Sequence, residues 1–175
     1  MTNSEYILSL LQNLNDPNKE NLGRLYTFLT TQFPDAKWSS NNKHQWREGW
    51  YYDHIADCLK FWKVLYDGLQ WYRPLPFTFD DVIVIIVLHD LEKPYKYSMH
   101  NSDFQDLLSL DSHWIRDKVM EEYNITLSPN QQNWLDYIHG EWDHYSKTER
   151  VQWPLAAFCH SIDTISARIY FNDGK

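Results

Sequence analysis

The strongest constraint on this chain is the segment DDVIVIIVLHDL, 80–91, where seven consecutive aliphatic residues, Val82 to Leu88, run directly into His89-Asp90. A stretch with no polar face has to be covered on every side, so the rest of the chain must wrap around it. Its β-branched residues suit a buried strand as well as a buried helix. Thr78 is placed to cap a helix, and nothing else in the sequence reads as a pairing strand, so a helix is expected. The histidine and aspartate at its end raise a second demand. A carboxylate carried into the core by such an element needs a hydrogen-bonding network or a cation, because an unpaired buried charge is strongly destabilising. Imidazole nitrogen and carboxylate oxygen are donors for Zn, Mn, Fe, Co and Ni, and a bridging carboxylate can hold two such ions near each other.

The chain has the means to cover this segment. With 175 residues, 43% of them hydrophobic and 17% aromatic, it is long and apolar enough for one globular domain without disulfides, and disorder is excluded. Apolar positions at helical spacing mark helices around Tyr6–Leu14, Glu20–Phe33, Trp50 to about Leu69 and Pro129–Ile138 (stopped at Gly140), and one opened by Pro154 that reaches Ile169. A further helix, capped by Asp111 or Ser112, extends to Tyr123. Asp16-Pro17-Asn18 forms a turn, and the polar stretch from Pro34 to Arg47 reads as a loop. The expected fold is all-α, a single domain over 1–175. The 24 acidic against 16 basic residues argue against a nucleic-acid-coating protein. Two cysteines, Cys58 and Cys159, make neither a disulfide framework nor a cysteine zinc cluster, which points to a reduced, cytoplasmic setting. The N-terminus lacks a basic region and a long apolar run, so neither a signal peptide nor a membrane span is expected.

Around His89-Asp90 the histidines fall into two groups. On the last helix His160 and Asp163 are three residues apart and share a face, with the small residues Ala156 and Ala167 on or near it. His54 starts the Trp50 helix, His113 starts the helix after the HD segment, and His139 ends the Pro129 helix. Five separate helices thus each carry a donor, the way a helical bundle builds a metal centre in its core. His44, His100 and His144 lie in polar stretches and read as surface residues, and Trp62 and Trp134 lie on apolar stripes and read as core.

The order His54, His89-Asp90, Asp163 resembles the H…HD…D motif of the HD superfamily of metal-dependent phosphohydrolases. WYYDHIADCLKFW is similar to its first ligand helix, VIIVLHDLEKP to its apolar helix ending in HD-x-G-K, and LAAFCHSIDTISAR to its closing helix. The intervening SHWIRDKVMEEYNITLSPNQQNWLDYIHGEW resembles the two-histidine insertion of the dinuclear subclass, with His113 and His139 at the histidine places. The match covers about 49–169, with the N-terminal helices of 4–33 expected to pack on this core. Compact size and the YIHGEW stretch are like small stand-alone members from bacteria and their phages. One departure stands out: Glu92 replaces the usual glycine, whose freedom normally allows a tight turn, while Lys93 keeps the lysine place.

The resemblance implies an HD-domain helical bundle with one or two divalent ions (Fe, Mn, Co, Ni or Zn, with Mg possible) in its core. His54, His89, Asp90 and Asp163 would bind the first, and His113 and His139 with bridging Asp90 the second. It implies hydrolysis of a nucleotide phosphomonoester or phosphodiester by metal-activated water, with Asp90 and Lys93 as catalytic residues. Lys93, His160 and Arg168 would meet the phosphate, although Arg168, five residues after Asp163, is rotated well off the ligand face. Trp50 and Trp142, with Trp46, Arg47, Tyr51, Tyr95, Tyr97 and Tyr145 nearby in sequence, are candidates to stack a base. Two other readings remain open: a dinuclear iron oxygenase of the same superfamily cleaving a C-P or C-C bond, and a non-catalytic HD domain that binds a nucleotide or a protein.

Overall fold

In the computed structural model, which describes residues 1–38, 49–97, 112–141 and 144–169, every regular element is a helix. The order is α1 (Asn3–Gln12), α2 (Lys19–Gln32), α3 (Trp50–Tyr72), α4 (Phe79–Leu88), α5 (Lys93–Tyr97), α6 (Ser112–Glu122), α7 (Pro129–Tyr137) and α8 (Pro154–Ile169). The all-α expectation holds, and α5, a single turn after the HD pair, is an addition to it. None of these helices is long and apolar enough to cross a membrane.

The ambiguous aliphatic segment is α4. Thr78 closes a capping box in which its hydroxyl accepts from the Asp81 amide and the Asp81 carboxylate accepts from the Thr78 amide. These bonds satisfy two donors that a helix start would otherwise leave open. All of Val82 to Leu88 is buried, as a helix apolar on every side requires. Its cover comes from α3, α7 and α8, each packed directly on it. The long helix α3 is the hub, packing also against α8 and α1, while α2 packs on α1 and buries Leu22, Leu25, Tyr26 and Leu29 in the core.

Local chemistry sets the other boundaries. Thr2 with Glu5 and Ser128 with Gln131 form capping boxes for α1 and α7, and Pro129 occupies the first turn of α7. The expected turn at Asp16 is held by the Asp16 carboxylate accepting from the Asn18 amide at 2.7 Å. Asn18 then fastens this turn to the connection between α6 and α7, its side chain accepting from the Thr126 amide and donating to the Thr126 carbonyl. Gly49, with φ of 77°, starts α3 in a backbone region that side chains disfavour. Tyr51 and Tyr52 lie buried in the first turns of α3, and Tyr52 donates to the Phe33 carbonyl at 2.8 Å, tying the loop after α2 to the head of α3.

Candidate metal centre

The end of one helix, the first turns of a second and the middle of a third meet here. His89 and Asp90 follow directly on α4, His54 lies on the first turns of α3, and Asp163 lies midway along α8. All four are buried. His54 Nε2 is 3.4 Å from His89 Nε2, 3.2 Å from Asp163 Oδ1 and 3.7 Å from Asp90 Oδ2. His89 Nε2 is 3.3 Å from Asp90 Oδ2 and 3.9 Å from Asp163 Oδ1. For comparison, metal–ligand bonds of about 2.0–2.2 Å place neighbouring ligand atoms about 3.0–3.5 Å apart. His54, His89 and Asp90 form one group whose donor atoms are close enough to hold a metal ion, and His54, Cys58 and Asp163 form another.

The hydrogen bonds behind these atoms aim them inward. His89 Nδ1 lies 2.7 Å from the Ile86 carbonyl, which can only accept, so Nδ1 carries a proton and Nε2 is the nitrogen that faces the cluster. His54 Nδ1 is paired with Ser166 Oγ at 3.0 Å, so the equivalent nitrogen faces the same space. Asp163 Oδ1 is sealed from solvent, and none of the described residues gives it a well-aligned donor. An orphaned carboxylate oxygen beside two imidazole Nε2 atoms fits a cation, so the chemistry of the donor set and its geometry agree.

The charges inside the cluster are interdependent. Burial works against ionising Asp90, yet His89 and Lys93 outweigh it and hold its carboxyl well below the usual range. Burial likewise opposes a charged His89, and Asp90 and Asp163 overcome that and push its pKa up to about 9. Asp163 is held low against burial by the neighbouring His54 and His89. Burial and Asp90 together raise Glu92. Its neighbour Lys93 is raised despite burial by Asp90 and Glu92. The ammonium of Lys93 lies 3.2 Å from Glu92 Oε1 and 3.9 Å from Asp90 Oδ1, over the Trp38 ring. Glycine's freedom is not needed at Glu92, which has an ordinary negative φ; its carbonyl accepts from the Lys96 amide, starting α5.

The cluster opens into a cleft of about 510 Å³. His89, Asp90 and Asp163 form its inner wall, and Lys93, Arg116, His113, His139, His160 and Arg168 bring cationic or ionisable groups to it. His139 Nε2 stands 3.7 Å from Asp90 Oδ1 and 4.0 Å from Asp163 Oδ2, against the carboxylate oxygens turned away from His54. Burial lowers its pKa despite those carboxylates. His113 is exposed on the same wall. His160 donates through Nδ1 to the Ile138 carbonyl at 2.7 Å, which leaves Nε2 as its second nitrogen. Arg168 lines the cleft from its off-face position on α8, at the reach of a long side chain.

The aromatic expectations fare differently. Trp142, Trp46 and Arg47 lie outside the described residues, as do His44 and His100. His144 and Tyr145 are exposed. Trp50 starts α3, and among the described residues it is not part of the cleft wall. Trp38, from the stretch read as a polar loop, lines the cleft instead. Its ring lies 4.5 Å from that of His54, its Nε1–H donates to Asp90 Oδ2, and it forms the cleft wall on the α3 side.

Sequence reasoning also passed over Arg116, Ser166 and Cys58. Arg116 is 4% exposed and is held by Asp117 at 2.9 Å and Asp136 at 3.3 Å. Its position three residues after His113 was the available signal, since that spacing shares a helix face. Cys58, one turn after His54, had the same signal. No protein-family model, curated protein or solved structure matches the chain.

Proposed function

We propose that the chain is an HD-type metal-dependent phosphohydrolase whose substrate is a nucleotide. The observation that carries this reading is a buried donor group of His54, His89 and Asp90, joined through His54 by Asp163 at 3.2 Å, beside a cleft lined by Lys93, Arg116 and Arg168. His54, His89, Asp90 and Asp163 would hold a first divalent ion. His139, facing the outer oxygens of both carboxylates, and His113, which lines the same cleft, would be the donors for a second. Such an ion supplies Lewis acidity toward a phosphoryl oxygen and makes water nucleophilic at neutral pH.

The chain's own groups do the rest. Trp38 orients the Asp90 carboxylate, and the Ile86 carbonyl and Ser166 hydroxyl orient the two imidazoles. Lys93 and Arg168 offset negative charge developing on the phosphoryl group, and Arg116 adds a guanidinium suited to a second anionic group. Trp38 offers an aromatic face in the cleft where a base can stack.

The test is phosphate release from a panel of nucleoside mono-, tri- and cyclic phosphates with Mn, Co, Ni, Mg or Fe supplied. Release that disappears in Asp90→Asn is expected. Absence of release from every nucleotide with every ion refutes the reading. Two irons per chain with oxygen consumption would move it to the oxygenase branch, and failure to take up any divalent ion would move it to a non-catalytic binding domain.

A further inference from the structure

We propose that Cys58 is a thiolate ligand of this centre, giving it a soft donor beside His54 and Asp163 and a preference for Zn, Co or Fe over Mg and Mn. The proposal rests on the metal-centre reading above. Cys58 follows His54 by four residues on α3, so the two side chains emerge on one face, one turn apart. The Cys58 sulfur is 3.7 Å from His54 Nε2, and the donor atoms of His54, Cys58 and Asp163 all lie within 4.8 Å of one another. Cys58 is fully buried, so that sulfur faces the cluster without competing solvent. The independent sign of a ligand is Asp163 Oδ1, buried, without an aligned donor, and directed into the space the sulfur borders.

Packing alone accounts for a small buried residue between Ile55 and Trp62, but it makes no demand that the sulfur lie against an imidazole nitrogen. Cys159 is the internal comparison. It is equally buried, on the same helix as Asp163, and among the described residues it joins no such group. Ligation breaks the S–H bond, sends the proton to solvent, and forms a sulfur–metal bond with no change of oxidation state. Thiolate, added to imidazole and carboxylate, shifts a site toward thiophilic ions, which is the basis of the stated preference.

The experiment is titration of the metal-stripped full-length chain with Co(II), read by absorption. Uptake with a near-ultraviolet thiolate-to-cobalt charge-transfer band is expected. The band should persist in Cys159→Ser and vanish in Cys58→Ser. Zn affinity should fall about tenfold or more in Cys58→Ser with Mg affinity unchanged. Cobalt bound without the band, or with a band that survives Cys58→Ser, overturns the proposal and leaves the His–Asp centre standing. No cobalt uptake at all overturns both. The chain has only two cysteines, so if Cys58→Ser does not fold, the spectra of the wild type and Cys159→Ser decide: a band in both supports Cys58, and its absence from either refutes it.

Discussion

Replacing Asp90 by Asn separates the two roles of this carboxylate, stabilising the metal-free core and holding an ion. Asp90 is 1% exposed and meets His89 at 3.3 Å, His54 and His139 at 3.7 Å, Lys93 at 3.9 Å and the Trp38 N–H. Asparagine keeps the volume and an acceptor for Trp38 but removes the charge. Breaking a buried pair costs about 3–5 kcal/mol, and the low end applies because His89 can release its proton and Lys93 keeps Glu92. At about 2.1 cal/mol/K per residue, unfolding 175 residues carries an entropy of about 0.37 kcal/mol/K, so a loss of about 3 kcal/mol lowers Tm by about 8 °C. A divalent ion at a hundred times its Kd stabilises the wild type by about 2.7 kcal/mol, or about 7 °C. Thermal unfolding followed by circular dichroism, on metal-stripped protein with and without Zn or Co, reads both effects. The expected result is a metal-dependent rise in the wild type and none in Asp90→Asn. An equal rise in both proteins would refute the assignment of Asp90 as a ligand.

Three further outcomes are expected. In metal-free protein, His89 has its pKa up at about 9 against an ordinary 6.5, so the folded state holds the proton that the unfolded state has lost. Its contribution is full below pH 6.5 and disappears as pH rises through 9, and the urea midpoint should fall over that window; a flat or rising midpoint contradicts the His89–Asp90 pairing. Lys93→Ala should lower turnover of any phosphate ester the chain hydrolyses while metal content, measured by elemental analysis, stays at the wild-type level; loss of the metal instead would make Lys93 a structural support of the site. Ile85→Ala, at a position with no solvent exposure, should cost about 2–5 kcal/mol in urea unfolding, and a cost below 1 kcal/mol would show α4 to be less tightly packed than described.

The fold was legible because its elements are strongly patterned. The apolar stripes of α2, α3 and α8 and the Thr78 and Ser128 caps are local signals, and α4 was resolved from strand to helix by its cap and by the lack of any pairing partner. His54, His89, Asp90 and Asp163 were legible as candidates by order and residue type, and each imidazole Nε2 lies within 4 Å of an oxygen of both carboxylates. What stayed hidden depends on tertiary approach. Trp38 sits in a stretch without periodicity, in a loop after α2 that is tied to the head of α3 by Tyr52 on the Phe33 carbonyl and by the Tyr51 amide on the Ala36 carbonyl. Arg168 was a candidate at an unfavourable angle on a helical wheel, which takes no account of side-chain length. Arg116 reads as a surface arginine until Asp136 of α7 is seen to hold it over the cleft.

The most direct measurement is anomalous scattering from a crystal of the Co- or Zn-loaded protein. A peak is expected within bonding distance of His54 Nε2, His89 Nε2, Asp90 and Asp163. A loaded crystal with no peak among these four residues, or with its metal bound elsewhere, would contradict the existence of the centre.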